Sequence, residues 1–105
     1  MAFSAHLEMI DSEARITLDG ELDAAVARQF RQAIEDAAQQ KPKKLVLFMS
    51  NLNFMASAGL RVLVFAKQHM GSEVAVYVIG ATGPVLNTLQ MSGFHQAVYV
   101  QESYP

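Results

Sequence analysis

The run Leu45-Val46-Leu47-Phe48-Met49 constrains this chain more than any other segment. A half-exposed strand alternates apolar and polar residues, because successive side chains point to opposite faces. Five consecutive apolar residues instead read as a strand buried on both faces, as at the centre of a sheet. Segments with helical periodicity flank it. Upstream, Val26, Phe30, Ala33, Ile34 and Ala37 fall on one helical stripe, while Arg28, Gln32, Glu35 and Gln39 lie mostly off it. Lys41-Pro42-Lys43-Lys44 closes that helix, since proline lacks an amide donor and disfavours helical geometry in the residue before it. Downstream, a helix is predicted over 57–70, ended by Gly71.

The remaining segments extend the alternation. Residues 5–10 and 14–18 read as two short strands joined by the turn cluster Asp11-Ser12-Glu13, an antiparallel hairpin. Asp19-Gly20-Glu21 ends the second strand, and Asp23 is expected to cap the first helix. Ser50-Asn51-Leu52-Asn53 reads as a loop. Residues 73–79 form a β-branched strand, and Gly80 to Gly83 a turn. Pro84 suits the first turn of a third helix through Gln90, which Ser92-Gly93 stops. A last strand is predicted over 97–100. The order is β-β-α-β-α-β-α-β, which implies an α/β fold with a mixed sheet and right-handed crossovers.

Composition sets the outer limits. With 51% hydrophobic and 17% charged residues in 105, the chain can fold around one core, and residues 1–105 read as a single domain. There is no cysteine, which excludes disulfides, thiolate catalysis and cysteine zinc sites. A net charge of -2 is too small to drive nucleic-acid binding. The charge is uneven: residues 1–36 carry eight acidic and three basic residues, and residues 37–105 two acidic and five basic. An acidic front half would suit a basic partner. No apolar stretch approaches the ~20 residues that span a bilayer. The expected address is the cytoplasm, with no membrane insertion.

No catalytic set emerges. His6, His69 and His95 are dispersed, and none pairs with an acid at ligand spacing, so no metal site is expected. No glycine-rich phosphate loop is present, and no cofactor is expected. The pattern points to a binding module rather than to a small enzyme or a nucleotide-binding protein.

One segment stands out, Asn53-Phe54-Met55-Ala56-Ser57-Ala58-Gly59-Leu60, which joins the central strand to the second helix. Ser57 lies at the helix start between small residues that let other backbone approach closely. Its plain alternative is an N-cap. On a helical wheel, Leu60, Leu63, Val64 and Met70 share one face, and Arg61, Val62, Phe65 and His69 point away from it. Such an apolar patch beside polar residues is either a partner surface or a face packed on a neighbouring helix.

These residues resemble a known family. "NLNFMASAGLRVL" is similar to the phosphorylation loop of STAS domains, the anti-sigma factor antagonists, where an apolar strand precedes F-M/I-D-S-S/T/A-G-L. "ITLDGELDAAVARQFRQAI" resembles the family's G-E/R-L-D segment followed by a helix, and "LNTLQMSGFHQAVYV" its closing segment before the last strand. The resemblance covers nearly the whole chain, in order.

It implies a mixed sheet with helices stacked on one side. It also implies an anti-sigma factor antagonist, a partner-switching regulator. The partner would be an anti-sigma factor, a serine kinase of the histidine-kinase-like ATPase fold, and a PP2C-type phosphatase would reverse its action. Ser57 occupies the phosphorylated position. Glu21 and Asp23 fall in the loop beside it, and Met55, Ala58, Arg61, Val62 and Phe65 complete the expected partner surface. Ala56 departs from the family pattern, standing where most members have aspartate, and Ala58 replaces a second serine or threonine. A chain with that loss could instead be a non-switching subunit of a lipid-transport or stressosome-like complex.

Overall fold

A computed structural model describes residues 3–104. In chain order the elements are β1 (Ser4–Ile10), β2 (Glu13–Leu22), α1 (Ala27–Gln39), β3 (Lys44–Met55), α2 (Ser57–Met70), β4 (Ala75–Ile79), α3 (Gly83–Ser92), a short 3-10 turn (Phe94–Gln96) and β5 (Tyr99–Gln101). β1 and β2 pair antiparallel, and β2 through β5 pair parallel. The spatial order β1-β2-β3-β4-β5 repeats the chain order. Each parallel strand is therefore added at the same advancing edge. Right-handed crossovers then place every connecting helix on the same face of the sheet.

The inward residues of that face alternate, as a pleated strand requires. Ala14, Ile16 and Leu18 of β2, Leu45, Leu47 and Met49 of β3, and Val76 and Val78 of β4 join the core. Phe30, Ile34, Leu63 and Leu89 cover them from the helices. The stripe predicted for α1 is the buried one, with Phe30, Ala33, Ile34 and Ala37 turned inward.

The opposite face carries no helix, yet Val46 there is fully buried. Its cover comes from aromatic side chains. Tyr77 sits beside Val46 in the β3–β4 register, and Tyr99 stacks on Tyr77 at 4.9 Å between ring centroids. Tyr104, beyond β5, meets Tyr77 edge-on at 5.5 Å and Phe48 at 6.3 Å. The Arg15 guanidinium lies 5.2 Å from the Tyr104 ring centroid. Thus helices shield one side of the Leu45–Met49 run and the returning tail shields the other.

Several boundaries differ from expectation: β2 runs through Asp19-Gly20-Glu21 to Leu22, β4 starts at Ala75 rather than residue 73, and α3 runs to Ser92 rather than Gln90. Residues 50–53 are strand rather than loop, because β2 runs on beside them. Asp19 pairs with Asn51, Gly20 with Leu52 and Leu22 with Met55. Two register shifts in the β2–β3 pairing, opposite Thr17–Asp19 and Gly20–Glu21, each place one extra β3 residue against β2 and bend this end of the pair. Asp23 does not cap α1. Its Oδ1 accepts from the amides of Ala25 at 3.0 Å and Val26 at 3.3 Å, and the helix starts only at Ala27. The carboxylate thus closes a turn ahead of the helix. The last strand starts at Tyr99 rather than Ala97, because the 3-10 turn first returns Phe94 to the core.

Candidate functional site

Ser57 opens α2. Ala56 holds the capping position in extended geometry, with φ -79° and ψ 167°, so no side chain caps this helix. Ser57 is the first helical residue and is exposed. The N-cap alternative therefore fails, and its hydroxyl has no duty in holding the helix.

Three contacts fix the turn. The Ala56 amide donates to the Leu22 carbonyl at 2.8 Å, tying the end of β2 to the start of α2. The Thr88 hydroxyl of α3 donates to the Met55 carbonyl at 3.5 Å. Gly59 lets the helix lie directly on Leu22, since a Cβ there would come within 2.6 Å of Leu22 Cγ. The first amides of any α-helix lack carbonyl partners, and they carry the positive end of its dipole. No acidic residue stands in the first turn of α2. An anion placed on Ser57 would thus meet favourable charge and open donors.

The expected surface residues divide into three groups. Glu21 and Asp23 are exposed and flank Leu22, so they lie at the same end of the molecule as Ser57. Glu21 also stands opposite Phe54 in the β2–β3 register, and Phe54 is 44% exposed. Met55 is corrected: it is 2% exposed and belongs to the core, supporting the loop from beneath. Ala58 is half-buried beside Ser57.

Val62 is also corrected. The buried face of α2 is Gly59, Val62, Leu63 and Ala66, whereas Val64, expected inward, is 39% exposed. The wheel followed the large apolar residues, but the helix comes closest to the sheet where Gly59 and Ala66 are small. A stripe at 59, 62, 63 and 66 has the 3-4-7 spacing of one helical face. Arg61 stays exposed. Phe65 is half-buried and packs towards α1: the Arg31 guanidinium lies 4.1 Å from its ring centroid and the His69 ring stacks at 4.9 Å.

Arg61 and Phe65 open onto a cavity of about 380 Å³ between α1 and α2, with Arg28 and Arg31 on its other wall. Neither Arg28 nor Arg31 was singled out by composition or motif. The available signal was their i, i+3 spacing on the outer side of an amphipathic helix. Among the described residues no group of three or more His, Cys, Asp or Glu gathers as a metal site, and no helix is long and apolar enough to cross a membrane.

A mixed sheet with one-sided helices, and a loop of small residues presenting a serine at the start of α2, is the layout that the sequence motifs imply for STAS domains. The STAS domain family model matches residues 5–104, and the chain belongs to that family. Its relatives include the anti-sigma-F factor antagonist RsfB of Mycobacterium tuberculosis, 25% identical over 80 residues that make up 76% of this chain and 66% of that one. The chain thus spans just under two-thirds of that relative's length. The anti-sigma F factor antagonist of Paenibacillus polymyxa is 30% identical over 92 residues, 84% of this chain and 77% of its own. The crystal structure of an anti-sigma factor antagonist from Mycobacterium paratuberculosis superimposes with a TM-score of 0.90, covering 97% of this chain and 87% of that one at 22% identity. That likeness speaks for the fold.

Proposed function

We propose that this STAS domain is an anti-sigma factor antagonist that works by partner switching in the cytoplasm. It binds an anti-sigma factor of the serine-kinase type, with a histidine-kinase-like ATPase fold, and so frees a sigma factor. Phosphorylation of Ser57 ends that contact, and a PP2C-type phosphatase restores it. The observation that carries the reading is the position of Ser57: exposed, first in α2, and free of any capping role.

The electrostatics favour a switch at this point. A phosphoryl group adds about -1.5 to -2 charge at pH 7. The helix start accommodates that charge, so the fold tolerates it. A partner seated over Phe54 and the α2 start would have to desolvate it, which opposes binding.

The test pairs phosphotransfer with affinity. The chain is incubated with the cognate anti-sigma kinase and ATP, and the modified peptide is located by mass spectrometry. Ser57→Asp and Ser57→Ala are then titrated against that kinase by calorimetry. The reading expects modification at Ser57, at least tenfold weaker binding for Ser57→Asp, and near-native binding for Ser57→Ala. Modification elsewhere, or equal affinities with unchanged circular dichroism, would refute it.

One feature supports a second reading. Ala56 supplies no carboxylate beside Ser57. A chain that binds its partner yet is never modified would be a constitutive subunit of a larger assembly.

A further inference from the structure

The cavity between α1 and α2 has a charge that the local sequence conceals. Residues 1–36 are net acidic, yet two of their three basic residues, Arg28 and Arg31, face this cavity. Arg61 reaches it from α2. No acidic residue lines it, and the salt bridges among the described residues all belong to Glu13 on the sheet. Three arginines therefore line one groove without a carboxylate. Ala58 and Val62 form an apolar floor, and Phe65 closes one side under Arg31.

We propose that this groove docks an acidic segment of a partner protein. Guanidinium groups present planar forks of N–H donors that fit carboxylates two at a time. Stacking Arg31 on Phe65 restrains one of those forks before any ligand arrives. Ala58, Arg61, Val62 and Phe65 follow i, i+3, i+4 and i+7 spacing, so the α2 wall is about 10 Å long at 1.5 Å per residue. An extended segment of about three residues spans that length. The groove fits two carboxylates flanking one apolar side chain.

Other anionic partners fit less well. A nucleic-acid backbone needs a longer basic track than three arginines along one short groove supply. A membrane surface suits a protruding apolar face, whereas Phe65 is recessed between two helices.

The proposal rests on the reading of the domain as a partner-binding regulator, and it is independent of Ser57 modification. Its test therefore uses no anti-sigma factor. The 15N-labelled chain is titrated with a capped heptapeptide, GEDLEEG, and with its neutral counterpart, GQNLQQG, in 50 mM salt. The acidic peptide is expected to shift the amide signals of Arg31, Ala58, Arg61 and Phe65 saturably. Affinity should fall at least tenfold for the neutral peptide and for the triple exchange Arg28→Gln, Arg31→Gln, Arg61→Gln, with circular dichroism unchanged. It should fall at least fivefold in 500 mM salt, because exposed charges are screened. If the triple variant does not fold, the single exposed exchange Arg61→Gln should still weaken binding at least threefold. The proposal is overturned if the neutral peptide binds equally, if the shifts map away from the groove, or if the arginine variants keep full affinity. Shifts of the groove signals by a uridine decamer or by phosphatidylglycerol vesicles, with none from the peptide, would overturn it as well. Failure here would leave phosphotransfer to Ser57 to be judged by its own assay.

Discussion

Gly59 lies so close to Leu22 that a methyl group added to its Cα would sit 2.6 Å from Leu22 Cγ and 2.7 Å from Cδ2. Leu22 is fully buried, so it can yield only by displacing its core neighbours. Gly59→Ala should therefore push the first turn of α2 off β2. Overpacking of this kind costs about 1–3 kcal/mol. Thermal melts should show the loss, and partner affinity should fall with it, because the displaced turn carries Ser57. An unchanged melting temperature would mean that Leu22 yields freely.

Ala56 offers a direct test of the departure from the family pattern. Ala56→Asp restores a carboxylate at the capping position, where a side-chain oxygen can accept from the first-turn amides. Capping there should stabilise the fold by about 1 kcal/mol. Single-turnover phosphorylation by the cognate kinase should also speed up. If the native chain is modified as fast as the variant, the missing carboxylate has no part in phosphotransfer.

Phe65 separates interface from core. It is half-buried against Arg31 and His69 and lies outside the helix–sheet core proper. Phe65→Ala is expected to weaken partner binding more than tenfold, chiefly through faster dissociation, with a small change in melting temperature. Glu21→Ala should act through slower association, and its effect should shrink in high salt. A large thermal destabilisation of Phe65→Ala without loss of affinity would assign Phe65 to packing alone.

The tail contact predicts a pH profile. The Tyr104 hydroxyl, together with Arg15 at 3.0 Å and Lys44 at 4.0 Å, holds the Glu13 carboxylate below its ordinary 4.5. Folding thus favours charged Glu13. That stabilisation is complete above pH 4.5 and is lost as pH falls through the lower folded value. Desolvation, then the Glu13 contact, raises Tyr104 above its ordinary 10.0. Its contribution is present below pH 10.0 and is lost as pH rises through the higher folded value. Tyr104→Phe should be less stable than the native chain near neutrality, and urea melts should show the gap narrowing at both extremes. A gap independent of pH would reduce Tyr104 to an apolar lid.

Much of this fold could be read from the residues alone, and the exceptions share a cause. The Leu45–Met49 run announced a central strand because burial on both faces leaves no room for polar residues. The α1 stripe was equally plain. Asn51 and Asn53 looked like loop because their side chains are polar, yet β2 pairs with Asn51 and with Leu52 and Phe54 on either side of Asn53, and that pairing is long-range. The α2 face was misjudged because small residues give little hydrophobic signal where helix and sheet come closest. At the site, the motif located Ser57 and the loop residues around it. The arginine groove was invisible, since its walls lie about 30 residues apart in the chain and meet only when α1 and α2 pack. Charge summed along a segment hides charge gathered on a face.

The identity of spatial and chain order among the strands bears on how the domain assembles during synthesis. Every strand finds the edge it needs already in place, because its neighbour in the sheet has left the ribosome before it. No early strand waits for a distant late one, so unpaired edges are brief and the opportunities for intermolecular pairing few. β5, of three exposed residues, joins last, and the aromatic cover of Val46 can close only after it. The helix side of the core can form while that outer face is still open. A nascent chain halted before residue 99 should therefore hold a folded helix layer over a sheet whose second face is still wet.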